Sequence, residues 1–251
     1  MAEVLVPEIL ALTVFVFLMA GAVKGIVGIG LPTITISMMS QYLDPRLAIS
    51  LTLIPILLSN LWQSLRAGRM IATWRRYIPF AASLAVVIYL TANFAQGLPS
   101  EALVLLLGSA VIIFSIASLS LTIPPLPDRF ERAGQLTAGA AAGLMGGVTA
   151  IWGPPMVIFL LARRVSKEEF VRVTGALLAA GSIPLMASYW QAGHVTSDVA
   201  VLSTLLVIPA VIGFAAGERV RARLDSGRFR TAVLIMFLLL GLNLIRRGIA
   251  A

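Results

Sequence analysis

Lys24 sits inside an apolar run, where no water solvates a charge and an ionisable residue is by default functional. An ammonium at that depth offers a seat to an anion. The competing reading is a lysine near a helix end whose long stem lets the charge snorkel out to the interface. All eleven Asp and Glu residues fall in loops or near the ends of apolar segments. That distribution disfavours a carboxylate proton relay and a dense cation site, and it suits an anionic substrate, which buried acids would repel. The chain has no cysteine and His194 as its one histidine, so thiol catalysis, disulfides and His-cluster metal sites drop out. No metal or cofactor is expected. Nor is an enzyme, which would need clustered acids, histidines or a metal near the interface.

Two glycine-proline breaks interrupt the apolar runs. Gly25-Ile26-Val27-Gly28-Ile29-Gly30-Leu31-Pro32 stands in the first half, and Gly146-Gly147-Val148-Thr149-Ala150-Ile151-Trp152-Gly153-Pro154-Pro155 in the second. A break is costly in a bilayer unless it lines a cavity or is buried in protein. Matched breaks in two halves point to a transporter's binding site. Pro32 and Pro154 or Pro155 fit the first turn of a helix, where no internal amide partner is lost. The helix start behind each proline presents free N–H groups and a positive dipole end to an anion. Gly28, Gly30 and Gly153 let the backbone approach a ligand. Thr33 and Ser37, four apart on one face, add hydroxyl donors, with Thr149 and Trp152 as second-half candidates. The alternative is that these glycines serve tight helix packing.

A polar stripe follows each break. Ser50, Asn60 and Gln63 lie on the third apolar segment, beside Ser59 and Ser64, and Thr174 lies on its counterpart. Such stripes line pores about as often as they bond helix to helix.

The elements that must hold these residues are membrane helices. The chain has 251 residues, 59% hydrophobic and 12% charged, with mean hydropathy +0.97, more apolar surface than a soluble domain of this size can hide. Apolar segments occupy 4–23, 33–42, 47–65, 77–95 and 102–121, then 136–150, 156–162, 171–190, 199–216 and 231–245. Each half is a broken or re-entrant pair followed by three full spans, eight to ten segments in all. Residues 1–122 form one repeat, the proline-bearing stretch 123–135 a cytoplasmic linker, and 136–251 the second repeat, all one membrane unit. Gly30-Leu31-Pro32 answers Gly153-Pro154-Pro155, and Arg66-Ala67-Gly68-Arg69-Met70 answers Gln191-Ala192-Gly193-His194-Val195, at nearly one offset. Residues 1–20 carry Glu3 and Glu8 where a signal peptide would carry cations, so no signal peptide is expected.

The net charge of +8 does not imply nucleic acid, because the basic residues lie between apolar spans, where they set orientation. If the Arg66–Arg76 loop is cytoplasmic, crossing parity brings 15 of the 19 basic residues to that side, including the group from Arg219 through Arg221, Arg223 and Arg228 to Arg230. Both termini are then periplasmic. Each half makes an odd number of crossings, so the halves are inverted relative to each other.

These motifs resemble the sulfite exporter TauE/SafE family, in which each half opens with a glycine-rich, proline-ended motif and continues into an Ala-x-Ala-Thr-Ser-Leu-like stretch. Gly21, Gly25, Gly28, Gly30 and Pro32 stand on the first motif, and Ala48-Ile49-Ser50-Leu51 on the second, with Ile49 in the threonine's place. The later half supplies Gly143, Gly147, Gly153, Pro154 and Pro155, then Thr174-Gly175 where Thr-Ser is usual. The first motif lacks the usual run of consecutive glycines, and Lys24 is an unusual insertion. The resemblance covers nearly the whole chain. It implies transport of sulfur-containing anions, such as sulfite or organosulfonates, across the bacterial inner membrane, commonly outward.

The expected function is a secondary exporter of such anions, with the substrate held mid-membrane between the two Gly-Pro breaks while the repeats rock about it. An anion channel-like conduit and a membrane subunit of an ATP-driven permease are the alternatives. The expected partners are a small anion and the lipid bilayer, with homo-oligomerisation left open.

Overall fold

The computed structural model describes residues 4–66, 68, 70–120, 123–221 and 226–250. Ala67, Arg69 and Arg223, and the side chains of Lys167, Arg221, Arg228 and Arg230, which the charge reading also drew on, lie outside the described residues. Every regular element among the described residues is helical: α1 Pro7–Val27, α2 Leu31–Met39, α3 Pro45–Arg66, α4 Met70–Ala95, α5 Ser100–Ser120, α6 Glu131–Thr149, α7 Gly153–Ala162, α8 Lys167–Gln191, α9 Ser197–Leu205, α10 Val207–Arg221 and α11 Ser226–Ala250. Among the described residues seven stretches are long and apolar enough to cross a membrane, α9 and α10 together forming one of them. Helices satisfy their own backbone, which hydrocarbon demands. Large apolar side chains face outward along them, Phe94 at 70% exposure and Leu90 at 62%, as suits contact with lipid rather than water.

The two breaks are built differently. Gly28 ends α1 in the left-handed region at φ 91°, its N–H closing on the carbonyl of Lys24 at 2.7 Å, and Gly30 caps α2 at φ 109°. A side chain at either position would meet strain, so glycine is required there. Pro32 falls in the first turn of α2, which therefore starts ahead of the apolar segment 33–42. In the second break it is Ala150 that turns left-handed, at φ 56°, while Gly153 opens α7 with Pro154 and Pro155 in its first turn.

Several boundaries shift by a few residues from the sequence expectation, and two of the differences have a local cause. The single span expected over 199–216 lies within the crossing stretch Ser197–Val220, which carries a local break in helical pattern at Leu206, between α9 and α10. Pro209, in the first turn of α10, denies an amide to the carbonyl of Leu205. The stretch 123–135 is also not all connector, since α6 begins at Glu131. The rest docks on α7: Leu126 N–H donates to Ala162 O at 2.9 Å, and Arg163 donates to Leu126 O at 2.7 Å.

Close packing follows the small residues. α1 packs mainly on α10 and α4 on α6, while α5 lies against α11 and α3 against α8. Gly21 and Gly25 face the backbone of Ala210 and Phe214, and Gly213 and Gly217 answer against Leu18 and Ala22. Gly139, Gly143 and Gly147 make the corresponding seam against Phe80, Val87 and Ala92, and Gly108 and Gly241 face each other across α5 and α11. A Cβ at these seam positions would run into the opposing helix, so here the packing reading of glycine holds.

Polar contacts sort the two ends of the bundle. At one end Arg66 pairs with Glu218, Arg76 with Glu131 and Glu169, and Arg163 with Asp128 and Glu131. At the other, Arg46 caps the carbonyls of Gln96 and Leu98, and Arg247 reaches the carbonyl of Ser40. The first half of α1 meets the turn after α2 through Thr13 and Tyr42, beside Ser40 and Arg247, and the start of α6 meets the end of α7 through Glu131 and Arg163. In each pair the second helix doubles back along the first, α2 covering only about 14 Å at 1.5 Å per residue.

Candidate functional site

Lys24 lies one turn before the first break, and its side chain is 1% exposed. It does not snorkel. The ammonium points at α3, donating to Ser59 Oγ at 2.8 Å and to Asn60 Oδ1, with the Phe214 ring centroid 5.9 Å away. The tight glycine seam explains why α10 comes so near: Gly25 lets the backbone at Phe214 and Gly217 close on α1. No carboxylate among the described residues lies in ion-pair contact with Lys24. A buried ammonium whose partners are neutral lacks a counter-charge in the structure, and a visiting anion supplies one.

That visitor has room. A cavity of about 270 Å³ is lined by Lys24, Gly25 and Gly28 from α1, Trp62, Gln63 and Arg66 from α3, Val171 from α8, and Phe214 and Glu218 from α10. Gln63 Nε2 donates to Val171 O at 2.9 Å and to Thr174 Oγ1 at 3.2 Å, tying α3 to α8 along the cavity wall. Asn60 Nδ2, Gln63 Oε1 and Ser64 Oγ are buried without a hydrogen-bond partner. Unmet polar groups clustered beside a cavity ask for a ligand or water.

Of the residues singled out from sequence, Lys24, Gly28 and Gln63 share this cavity, with Asn60 behind Lys24 and Thr174 held by Gln63. Gly30 and Pro32 shape the break beside it. Thr33 and Ser37 are buried in α2 away from the cavity lining, Ser37 Oγ without a partner. Ser50 lies elsewhere, in a cavity of about 440 Å³ at the Arg46 end with Asp44, Arg46 and His194, and its hydroxyl donates to Arg46 O at 2.8 Å.

The second break is packed rather than open. Thr149 donates to Met145 O at 2.7 Å and accepts from Ile151 N–H at 3.2 Å, finishing the end of α6. Trp152 is 1% exposed, wedged so closely between Gly146 and Gly181 that a Cβ on either would come within 2.7 and 2.9 Å of it. Gly153 and Pro155 stand in the first turn of α7, and Pro154 faces a small apolar space with Phe114 and Val157. The space that touches elements of both breaks holds about 230 Å³ and is apolar, lined by Gly30, Val27, Phe114, Val157, Leu161 and Phe237 among others. No cation lines it.

Sequence reasoning missed Arg66, Glu218, Phe214 and Trp62 as cavity residues. From sequence, Arg66 is an orientation charge and part of the internal repeat, and Glu218 is one of the acids in loops or near segment ends. The available signal was the spacing Gly213-x3-Gly217, which presses the next residue, Glu218, toward α1.

Residues 13–244 match the model of the family described as sulfite exporter TauE/SafE. No curated protein and no solved structure matches the chain. Both breaks, the Lys24 cavity and the long helices after each break fall within the matched span, except the end of α11 beyond residue 244. The chain belongs to the sulfite exporter TauE/SafE family, and is therefore a membrane transporter and not an enzyme.

Proposed function

We propose that this transporter is a secondary exporter of small sulfur-containing anions, sulfite or an organosulfonate, and that Lys24 is the cation that receives the anion. The observation carrying this is the buried ammonium of Lys24, unpaired with any carboxylate among the described residues and opening on a cavity beside the first Gly-Pro break. Gly28 offers its backbone at close range, and the start of α2 adds the positive end of a helix dipole. The cation and the unmet polar groups favour a seat at the first break rather than midway between both. The second break, with Trp152 locked between two glycines, is the rigid wall on which the bundle moves.

The pairing of α1 with α10 and of α4 with α6, each along a glycine seam, supports two inverted repeats, as does the entry of the two short pairs from opposite ends. Rocking of the repeats then alternates access. The polar cavities at Leu47–Ser50 and at Trp62–Arg66 share no lining residue, and buried Leu51, Leu53 and Ile56 lie between them on α3. That barrier favours alternating access over an open conduit. The arginine-rich end is cytoplasmic on this reading, with both termini periplasmic and the protein in the bacterial inner membrane.

Proteoliposomes preloaded with labelled sulfite test the proposal. Saturable efflux, inhibited by excess unlabelled anion, is expected. Single-channel currents or flux without saturation would favour a conduit, and no flux of any small oxyanion would remove the proposal.

A further inference from the structure

We infer that Arg66 is a second cation on the anion's path and that Glu218 is its internal stand-in for the anion, exchanged for substrate as the cavity fills. The inference rests on the reading of Lys24 given above. Arg66 closes α3 at the edge of the cavity, and Glu218 lies on α10 one turn beyond Phe214, whose ring faces the Lys24 ammonium. The cavity lining therefore holds two cations and one carboxylate. A free carboxylate on the route to an anion seat would repel the substrate. One held by arginine does not, and it keeps that arginine ready.

Comparison with the neighbouring ion pairs shows which contact is exchangeable. Arg76 and Arg163 each engage two carboxylates, at 2.9 and 3.0 Å and at 2.7 and 2.8 Å, and clamp helices together. Arg66 meets Glu218 through one nitrogen at 3.4 Å, and the two side chains are 59% and 44% exposed. Such a half-solvated single contact is weak. An oxyanion offering two oxygens to the guanidinium fork competes with it on favourable terms. The Trp62 ring, 5.7 Å from the guanidinium carbon, keeps Arg66 over the cavity when Glu218 lets go. The anion first replaces Glu218 at Arg66 and then passes inward to Lys24. On release, Glu218 returns and helps expel it.

Binding of labelled sulfite to the purified full-length protein tests this with R66Q, E218Q, the double variant and K24M. Glu218→Gln is expected to tighten binding roughly two- to fivefold, the range a half-exposed ion pair supports, and Arg66→Gln to weaken it. In the double variant, affinity matches that of Arg66→Gln alone, because Glu218 acts through Arg66. Glu218→Ala replaces the glutamine variant if the latter is not monodisperse. Unchanged or weaker binding in the Glu218 variants overturns the exchange, and so does a tightening that persists undiminished without Arg66. If K24M loses binding while E218Q behaves as wild type, the Lys24 reading stands and this one falls. Absence of sulfite binding to the wild-type protein removes both.

Discussion

Lys24 and Asn60 leave each other incomplete. An ammonium can only donate, so it takes the amide oxygen of Asn60, and the Nδ2 group is then left buried with no acceptor. The cluster presents donors and lacks an acceptor that bears charge, which is what an oxyanion supplies. Asn60→Asp is nearly isosteric and places a carboxylate against Lys24, satisfying the ammonium internally. Sulfite affinity is expected to fall more than tenfold while the melting temperature is held or raised, as radioligand binding and thermal unfolding would show. An Asp variant that binds sulfite as well as wild type would contradict this role for Asn60.

The two breaks predict different responses to substitution. Gly28→Ala and Gly30→Ala force a side chain into positive φ and are expected to cost roughly 1–2 kcal/mol each. Gly153→Ala meets nothing within 4 Å and no such backbone, so it is expected to be nearly silent. Ala150→Gly relieves a left-handed alanine and is expected to stabilise by up to about 1 kcal/mol. Unfolding of the four variants in one detergent checks the set. Equal effects at Gly30 and Gly153 would show that the breaks are alike after all.

Valine at Gly21 or Gly213 drives a side chain into the backbone of the facing helix. Separation of α1 from α10 is expected, seen as loss of monodisperse protein on size exclusion. The same change at Gly97, where the nearest foreign atom is 3.6 Å away, is expected to be tolerated in that assay.

His194 carries a pH dependence of its own. Partial burial, with Arg46 nearby, holds its imidazole below the ordinary value of 6.5. The unfolded chain therefore takes up this proton first as pH falls through 6.5, and the folded state loses stability from there down to the lowered folded value. Melting temperature measured against pH is expected to decline over that window in wild type and to decline less in His194→Gln. Identical slopes would remove His194 as the cause.

Much of this was legible in the sequence. Apolar length located the long helices, and glycine followed by proline located both breaks, because those signals are local. The handedness of each turn was not legible, since Ala150 rather than a glycine takes the left-handed position in the second break. Nor was the local break at Leu206, where one proline removes a backbone hydrogen bond within a continuous apolar stretch. The direction of the Lys24 side chain was undecided for a different reason. Whether a lysine at the end of a helix reaches water depends on what packs over it, and here α3 and α10 do, brought close by glycines more than 180 residues away in sequence. The pairing of Arg66 with Glu218 is equally a product of tertiary approach.

Sulfite efflux from proteoliposomes containing Lys24→Met measures the central claim most directly. Methionine keeps the length of the side chain and removes its charge, and the cavity residues around it remain. Sulfite efflux is expected to fall at least tenfold, the loss of one charge-assisted contact, in protein that stays folded and monodisperse. Efflux at the wild-type rate, with wild-type affinity, would contradict the claim and leave Lys24 a buried structural residue.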